Sequence, residues 1–306
     1  MTVSMTTSLQ SIQRTLRDAT EKMLPITGDI QYARREAEQL LEHVMQCDRA
    51  WLLAHDQDAL SSTQRRMYAN LIGRRARHEP LAYLVQRQEF CGLSFFVDKR
   101  VLIPRVETQL IVEEAARIVS SSSKSCLLVD IGTGSGTIAI SCGHRFPTMP
   151  IIATDASPAA LQVARKNARA LVPSSRITFF QASLIDSVLK HRLMVRSESH
   201  LVICANLPYL PRSDKKILSP DVTRYEPSSA LFSGEDGLRL IRKFLLQMRR
   251  LFVQDGRSMD VLLEFDPPQS AVLLKLACEL FAEATVIIKQ DECGRDRLLH
   301  IQCLVR

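Results

Sequence analysis

The sequence predicts an α/β protein in two parts: a small helical bundle, then a seven-stranded, mostly parallel sheet covered by helices on both faces. Three observations predict it. Residues 8–90 place apolar side chains at helical spacing and lack strand-like alternation. From Ser125 onward, continuous apolar runs alternate with amphipathic stretches, the pattern of strands buried on both faces. The first of these runs ends in three alternating glycines, Gly132, Gly134 and Gly136, and a helical stretch follows.

The elements follow in order. A first helix carries Leu9, Ile12 and Leu16 on one face, with Pro25 and Gly28 as punctuation before the next. The stretch Ala33–Met45 sets Ala37, Leu40, Leu41 and Val44 opposite its charges. Ser62–Arg77 repeats the pattern with Met67, Leu71 and Ile72; its five arginines, Arg65, Arg66, Arg74, Arg75 and Arg77, read as a solvated face. Residues 89–102, EFCGLSFFVDKRVL, read as a hairpin with Gly92 between its strands and a turn at Asp98-Lys99. Glu107–Ser120 is helical again. Apolar runs at 126–130, 150–154, 176–180, 201–205, 259–265, 284–288 and 298–304 supply the seven strands, with helices at 137–146, 158–171, 237–253 and 269–282. Only Lys289–Arg297 joins the last two strands, so that pair should be antiparallel. The domains expected are residues 1–88, helical; 89–104, a hairpin linker; and 105–306, the sheet domain.

Composition narrows the class. The 306 residues are 46% hydrophobic and 24% charged, which excludes a disordered or low-complexity chain. The net charge of +7 suits a phosphate-rich partner and an ordinary solvated surface equally well. The eight cysteines include no CxxC and no metal-ligand spacing, which points to a reducing, cytoplasmic setting. Cys126, Cys204, Cys278 and Cys303 lie in apolar runs, where free cysteine acts as a small hydrophobe. No apolar run approaches the ~18–20 residues that span a bilayer. The Ser/Thr-rich N-terminus carries Asp18 and Glu21, so an ordinary helix suits it better than a transit peptide.

The glycine loop is the first chemical signal. Asp130-Ile131-Gly132-Thr133-Gly134-Ser135-Gly136 ends a strand and opens a helix, so its N–H groups can face a ligand. The spacing is GxGxG, neither the GxGxxG of dinucleotide folds nor a GK[ST] phosphate loop. Asp155, after the second strand, sits where a carboxylate can accept both hydroxyls of a ribose. Together these resemble the S-adenosylmethionine half of Rossmann-like methyltransferases.

The second signal is Asn206-Leu207-Pro208-Tyr209, after the fourth strand. It resembles the [D/N]-P-P-[Y/F] motif of methyltransferases acting on planar amide or amino nitrogens. Such nitrogens are poor nucleophiles because the lone pair is delocalised, and attack on a sulfonium methyl leaves them positive. The Asn206 side-chain oxygen and the Leu207 carbonyl can hold the nitrogen by its N–H groups and stabilise that charge. Tyr209 offers a flat face. Leu207 replaces the usual proline, but Pro208 still keeps it extended.

Other segments make the resemblance specific. Ala33–Met45, Glu79–Leu84, Glu89–Leu93 and Val101–Thr108 precede the glycine loop; Tyr225–Pro227, Ala230-Leu231, Gly234–Leu238 and Gly294–Arg297 follow the asparagine motif. In that order they resemble the release-factor glutamine methyltransferase (HemK/PrmC) family. The resemblance implies a helical substrate-recognition domain, a hairpin linker and a seven-stranded methyltransferase domain. It implies S-adenosyl-L-methionine as cofactor and a release-factor glutamine as substrate. Asp130, Gly132, Thr133, Gly134, Ser135, Gly136, Asp155, Ser183, Leu184 and Asn206 would bind the cofactor; Asn206, Leu207, Pro208 and Tyr209 would hold and activate the amide; Arg105 would wall the substrate site. Ser183 stands where the family often has an acidic residue. Glu226 would anchor the loop after the motif, and Gly294–Arg297 reads as a hairpin turn. No metal, membrane or nucleic acid is implied, and the expected unit is a cytoplasmic monomer. Two alternatives stay open: a nucleic-acid adenine N6-methyltransferase and a ribosomal-protein glutamine methyltransferase.

Overall fold

Polar residues at the right offsets start the helices of the first unit. Ser11, Asp29, Asp48 and Ser61 each accept a backbone N–H three residues on, and Ser61 completes a capping box with Gln64. The computed structural model, which describes residues 11–185, 199–256 and 258–304, places after these caps α1 (Ile12–Thr27), α2 (Ile30–Met45), α3 (Arg49–Ala54) and α4 (Ser62–Arg75). A short α5 (Leu81–Val85) follows. Ile12, Leu16, Met23, Leu40, Leu41, Leu52 and Ile72 form their core. Leu9 lies outside the described residues.

Three expectations fail here. Pro25 does not end α1: burial of Ile12, Leu16, Ala19 and Met23 carries the helix through, and Gly28, in the left-handed region, ends it. Met67 is exposed, and Tyr68 takes the inward place because it buries its ring while its hydroxyl donates to the Ala37 carbonyl at 3.0 Å. Arg75 does not belong to a solvated face. It is 5% exposed and donates to Glu36 at 2.8 and 3.2 Å and to Asp221 at 2.9 Å. Asp221 belongs to a later segment, Ser219–Tyr225, that groups with the helical unit although it follows the Asn206 motif in the chain. Asp221 also bonds His78, and the Tyr225 hydroxyl donates to the Arg77 carbonyl.

The second unit comprises residues 87–218 and 226–306. It opens with a hairpin, β1 (Gln88–Phe90) and β2 (Leu93–Phe95). Helix α6 (Gln109–Ser121) leads into the sheet strands β3 (Cys126–Ile131), β4 (Pro150–Asp155), β5 (Arg176–Gln181), β6 (His200–Ala205), β7 (Met259–Glu264), β8 (Thr285–Gln290) and β9 (Asp296–Cys303). Their spatial order is β5-β4-β3-β6-β7-β9-β8, and β9 alone runs antiparallel, between β7 and β8. Helices α6, α7 (Thr137–Arg145) and α8 (Pro158–Leu171) contact the sheet around β3–β7. Helices Arg239–Asp255 and Ser270–Leu280 supply Ile241, Phe244, Met248, Leu273 and Ala277, with Phe281 just past the second, to the core over Val129, Ile203 and Val261. Cys126, Cys204 and Cys303 are buried and free, whereas Cys278 is exposed, because Leu273 and Ala277 take the inner face of its helix. No described helix is long and apolar enough to cross a membrane.

A charged cluster lies inside the sheet unit. Asp260 on β7 bonds ring nitrogens of His200 and His300; His300 also faces Glu114, which pairs with Lys289 and Arg117. Burial alone would raise the Asp260 carboxyl, but the hydrogen bonds from His200 and His300 outweigh it and bring it down to about 2. A depressed acid contributes stability above its unfolded value and loses it as pH falls through the folded one. Melting scans should therefore show Tm falling steeply between about pH 4 and pH 2. Asp260→Asn should lower Tm at neutral pH and flatten that acid fall.

Arg75 supplies a second expectation. Arg75→Met leaves Glu36 buried without its partner, so unfolding in urea should show a loss of about 3–5 kcal/mol.

Candidate active site

Strand register assembles the cleft. In β3, Asp130 and Ile131 stand opposite Cys204 and Ala205 of β6 on one side and Ala153 and Thr154 of β4 on the other. The next residues of the three strands, Gly132, Asn206 and Asp155, therefore emerge side by side at the carboxyl edge, where the chain order of the sheet reverses across β3 and β6. A cleft of about 360 Å³ opens there, within the range of small-molecule sites. Of the residues singled out in the sequence, Gly132, Thr133, Gly134, Ser135, Asp155, Ser183, Leu184, Arg105, Asn206, Leu207 and Pro208 line it. Asp130, Gly136 and Tyr209 do not.

Asp130 lies beneath the loop and is fully buried. One oxygen accepts from the Thr133 hydroxyl at 2.6 Å and from the Ala139 N–H at 3.1 Å; the other has no partner among the described residues. Burial pushes its carboxyl up to about 7 against those two donors, and the nearby Asp155 adds to the rise. Asp155 accepts from the Gly134 N–H at 2.9 Å and the Ser157 N–H at 2.8 Å, and burial raises it too. Asn167 of α8, unmarked by any sequence motif, donates to the Ser135 carbonyl at 2.9 Å and bonds both backbone groups of Phe96. The loop's shape is thus held from below by an aspartate and from the side by an asparagine.

Glycine leaves room that a side chain would take. At Gly132, φ is +76°, and an added Cβ would stand 3.3 Å from Leu207 and 3.6 Å from the Asn206 carbonyl. The Ser135 hydroxyl on the cleft is buried with no partner among the described residues. This set fits S-adenosylmethionine: an open cradle, an unspent hydroxyl, and two carboxylates whose raised pKa values a sulfonium and ammonium would relieve.

The asparagine motif forms the wall next to the glycine loop. Asn206 donates through Nδ2 to the Thr108 hydroxyl at 2.9 Å. Leu207 packs into the core beneath the loop. Tyr209 does not offer its ring to the cleft: the ring packs against the core, and its hydroxyl donates to Glu264 at 3.2 Å. Its carbonyl accepts from Gln269 at 2.8 Å. Gly237 passes so close to that carbonyl that a Cβ would collide with it. Arg105 pairs with Glu226, which is buried and also accepts from the Ile103 N–H at 3.1 Å. The pair holds Arg105 on the cleft wall. Of the expected turn Gly294–Arg297, Gly294 and Arg295 lie in the turn between β8 and β9, while Asp296 and Arg297 open β9 because Asp296 already pairs with Gln290; Arg295 reaches Glu107 at 3.6 Å.

Glycine loop, second-strand aspartate and reversed strand order together define a Rossmann-like S-adenosylmethionine-dependent methyltransferase. Comparison with known proteins agrees and goes further. Residues 15–85 match the family profile described as PrmC N-terminal domain, and residues 128–224 match a methyltransferase domain. Release factor glutamine methyltransferases of Xylella fastidiosa (strain 9a5c) and Moorella thermoacetica are each 34% identical. The first match covers 88% of this chain and 93% of that protein, the second 94% and 96%. The chain belongs to the release factor glutamine methyltransferase family. Among solved structures, the hMettl16 catalytic domain bound to MAT2A 3'UTR hairpin 6 superposes with a TM-score of 0.52 at 16% identity, over 78% of this chain and 82% of that one. At that identity the likeness concerns the fold.

The Gly237 contact yields an expectation. Gly237→Ala should cost at least about 1–3 kcal/mol from backbone strain, with the collision added. Gly256→Ala, also left-handed but facing open space, should cost only the strain. Urea unfolding of both variants separates the two contributions.

Proposed function

We propose that this enzyme transfers the methyl group of S-adenosylmethionine to the N5 amide nitrogen of the glutamine in the Gly-Gly-Gln loop of class I peptide chain release factors. The observation that carries this reading is the placement of Asn206 and Leu207 on the cleft directly beside the glycine loop. The named activity of the relatives supports it. S-adenosylmethionine, when bound, supplies an electrophilic methyl on a sulfonium centre. Everything else is positioning by this chain.

The loop Gly132–Gly136 cradles the amino-acid end of the cofactor, with Asp130 holding the loop from beneath. Asp155 keeps both oxygens on backbone N–H groups and still has lone pairs for a ribose. Ser183 and Leu184 border the cleft where the adenine would lie, Leu184 against its face and Ser183 towards its amino group. On the adjoining wall, Asn206 Oδ1 and the Leu207 carbonyl accept the two N–H groups of the glutamine amide. That fixes the nitrogen's lone pair in line with the methyl and stabilises the positive charge that develops on it. Pro208 keeps Leu207 extended so that its carbonyl stays aimed. Arg105 flanks the entrance, and Tyr209 anchors the motif by its hydroxyl and carbonyl. No base is needed before transfer, since the proton departs once the nitrogen is cationic. The acting unit in this reading is a cytoplasmic monomer without a nucleic-acid component.

Labelled-methyl transfer tests it, with recombinant release factor, its loop Gln→Ala variant and total RNA offered side by side. Label is expected on intact release factor only; label on RNA would replace this reading with nucleic-acid methylation. Asn206→Ala should lose about a hundredfold or more in kcat and keep cofactor affinity by calorimetry, because the acceptor acts mainly in the transition state. Near-normal turnover in that variant would remove Asn206 from the mechanism.

A further inference from the structure

Both ends of the Asn167 side chain are committed to backbone groups. Asn167 of α8 is 1% exposed. Its Oδ1 accepts the Phe96 N–H at 2.8 Å, and its Nδ2 donates to the Phe96 carbonyl at 3.0 Å and to the Ser135 carbonyl at 2.9 Å. An amide nitrogen carries two hydrogens, so both carbonyls are served at once. An asparagine amide has nearly the same shape either way round. Here one backbone donor and two backbone acceptors fix which end is which.

The two segments joined in this way frame the cleft. Ser135 stands in the glycine loop between Gly134, at φ +56°, and Gly136, at φ +89°. With a freely rotating residue on each side, the Ser135 peptide needs a tie from outside to keep one orientation. Phe96 follows β2 and does not itself line the cleft, but Lys99, Arg100 and Val101 just beyond it do. Helix α8 grips that segment at two more points: the Lys166 ammonium lies over the Phe96 ring, and Gln162 accepts from Arg100 at 3.2 Å. At the start of the same helix, the N-cap Ser157 donates its N–H to one oxygen of Asp155, whose other oxygen accepts from Gly134. One helix therefore ties together Asp155, the glycine loop and the linker wall.

We propose that Asn167 is a positioning residue for cofactor binding. It does not line the cleft, but it holds the Ser135 carbonyl and the Phe96 backbone at one fixed spacing, so that loop and linker wall are formed before S-adenosylmethionine arrives. This rests on the cleft as the cofactor site and not on the identity of the methyl acceptor.

A tie that served the fold alone would act on stability and leave affinity untouched. A positioning tie acts on affinity, and linkage makes the effect reciprocal. A cofactor that needs the Ser135 peptide in place favours the state in which Asn167 is fully bonded. Cofactor should then protect the Phe96 amide, which bonds the same side chain from the linker side.

The test reads S-adenosylmethionine binding by calorimetry and Tm by melting scans, on the full-length protein. Asn167→Asp keeps the acceptor for Phe96 and loses both donated bonds; Asn167→Ala loses all three. Each should bind S-adenosylmethionine about tenfold or more weakly, the scale on which supporting hydrogen bonds tune a ligand site. Val163→Ala is the control for stability: Val163 is fully buried on the same helix and has no side-chain hydrogen-bonding group, so Tm should fall while affinity stays near the wild-type value. Near-wild-type affinity in Asn167→Ala, or an equal loss in Val163→Ala, would overturn the assignment. If the Asn167 variants do not fold, amide exchange in the wild-type protein still decides. Adding S-adenosylmethionine should slow exchange at Phe96 more than at the amides of β8, on the far edge of the sheet, and equal slowing at both would overturn the assignment. The wild-type titration separates the two readings. If it shows no binding, the cleft is not the cofactor site; if it binds and Asn167→Ala binds as well, the positioning role fails alone.

Discussion

Parallel pairing of β3 with β6 is the constraint on which the site depends. These strands leave the sheet in opposite directions of chain order, so no crossover helix covers the edge between them. Their register sets Ile131 against Ala205, which brings the glycine loop and Asn206 out as neighbours although 74 positions separate Gly132 from Asn206. A shift of one residue would exchange the two faces of the strand that slips, and every side chain on it would have to repack. Six of six residues are buried in each strand, so the core forbids that shift. The geometry of the reacting groups is thus enforced by hydrophobic packing well below the cleft.

Buried acids are used differently at different places in the same sheet unit. Around the cleft, Asp130, Asp155 and Glu264 all have raised pKa values, because burial outweighs their hydrogen-bond donors. Such a site gains from a cationic ligand and from donors that arrive with it. Asp260 is held between two histidines and sits well below the ordinary carboxylate range. The first arrangement leaves electrostatic demand to be met by a ligand; the second is satisfied within the fold. That contrast separates a functional cluster from a structural one better than acidity or burial alone.

Much of the fold was legible because local signals agreed with the global pattern. Continuous apolar runs and period-3.6 stretches placed the strands and helices, and a short last connection implied the antiparallel β8–β9 pair. The site's two walls were legible as well, since glycines before a helix and a polar tetrapeptide after a strand have chemical reasons to be there. The failures share one cause. Met67 and Tyr68 are adjacent, and which of them turns inward depends on the Ala37 carbonyl of another helix. Arg75 resembles its four neighbouring arginines until Glu36 and Asp221 are brought to it. Tyr209 was read as a ring for the substrate, but Glu264 and Gln269 hold it in the wall.

By itself, the sequence determined the class of fold, the order of its elements, the two motifs and the chemistry they can support, because those rest on residue type and short spacing. Only the tertiary structure decided the partners: Thr108 and Glu264 behind the asparagine motif, Asn167 beside the glycine loop, and Asp221 with the helical unit. Each of those contacts joins residues at least 32 positions apart through single side-chain atoms or one backbone group. Periodicity and composition carry no information about such pairs, since strand register and helix packing set the distances that decide them.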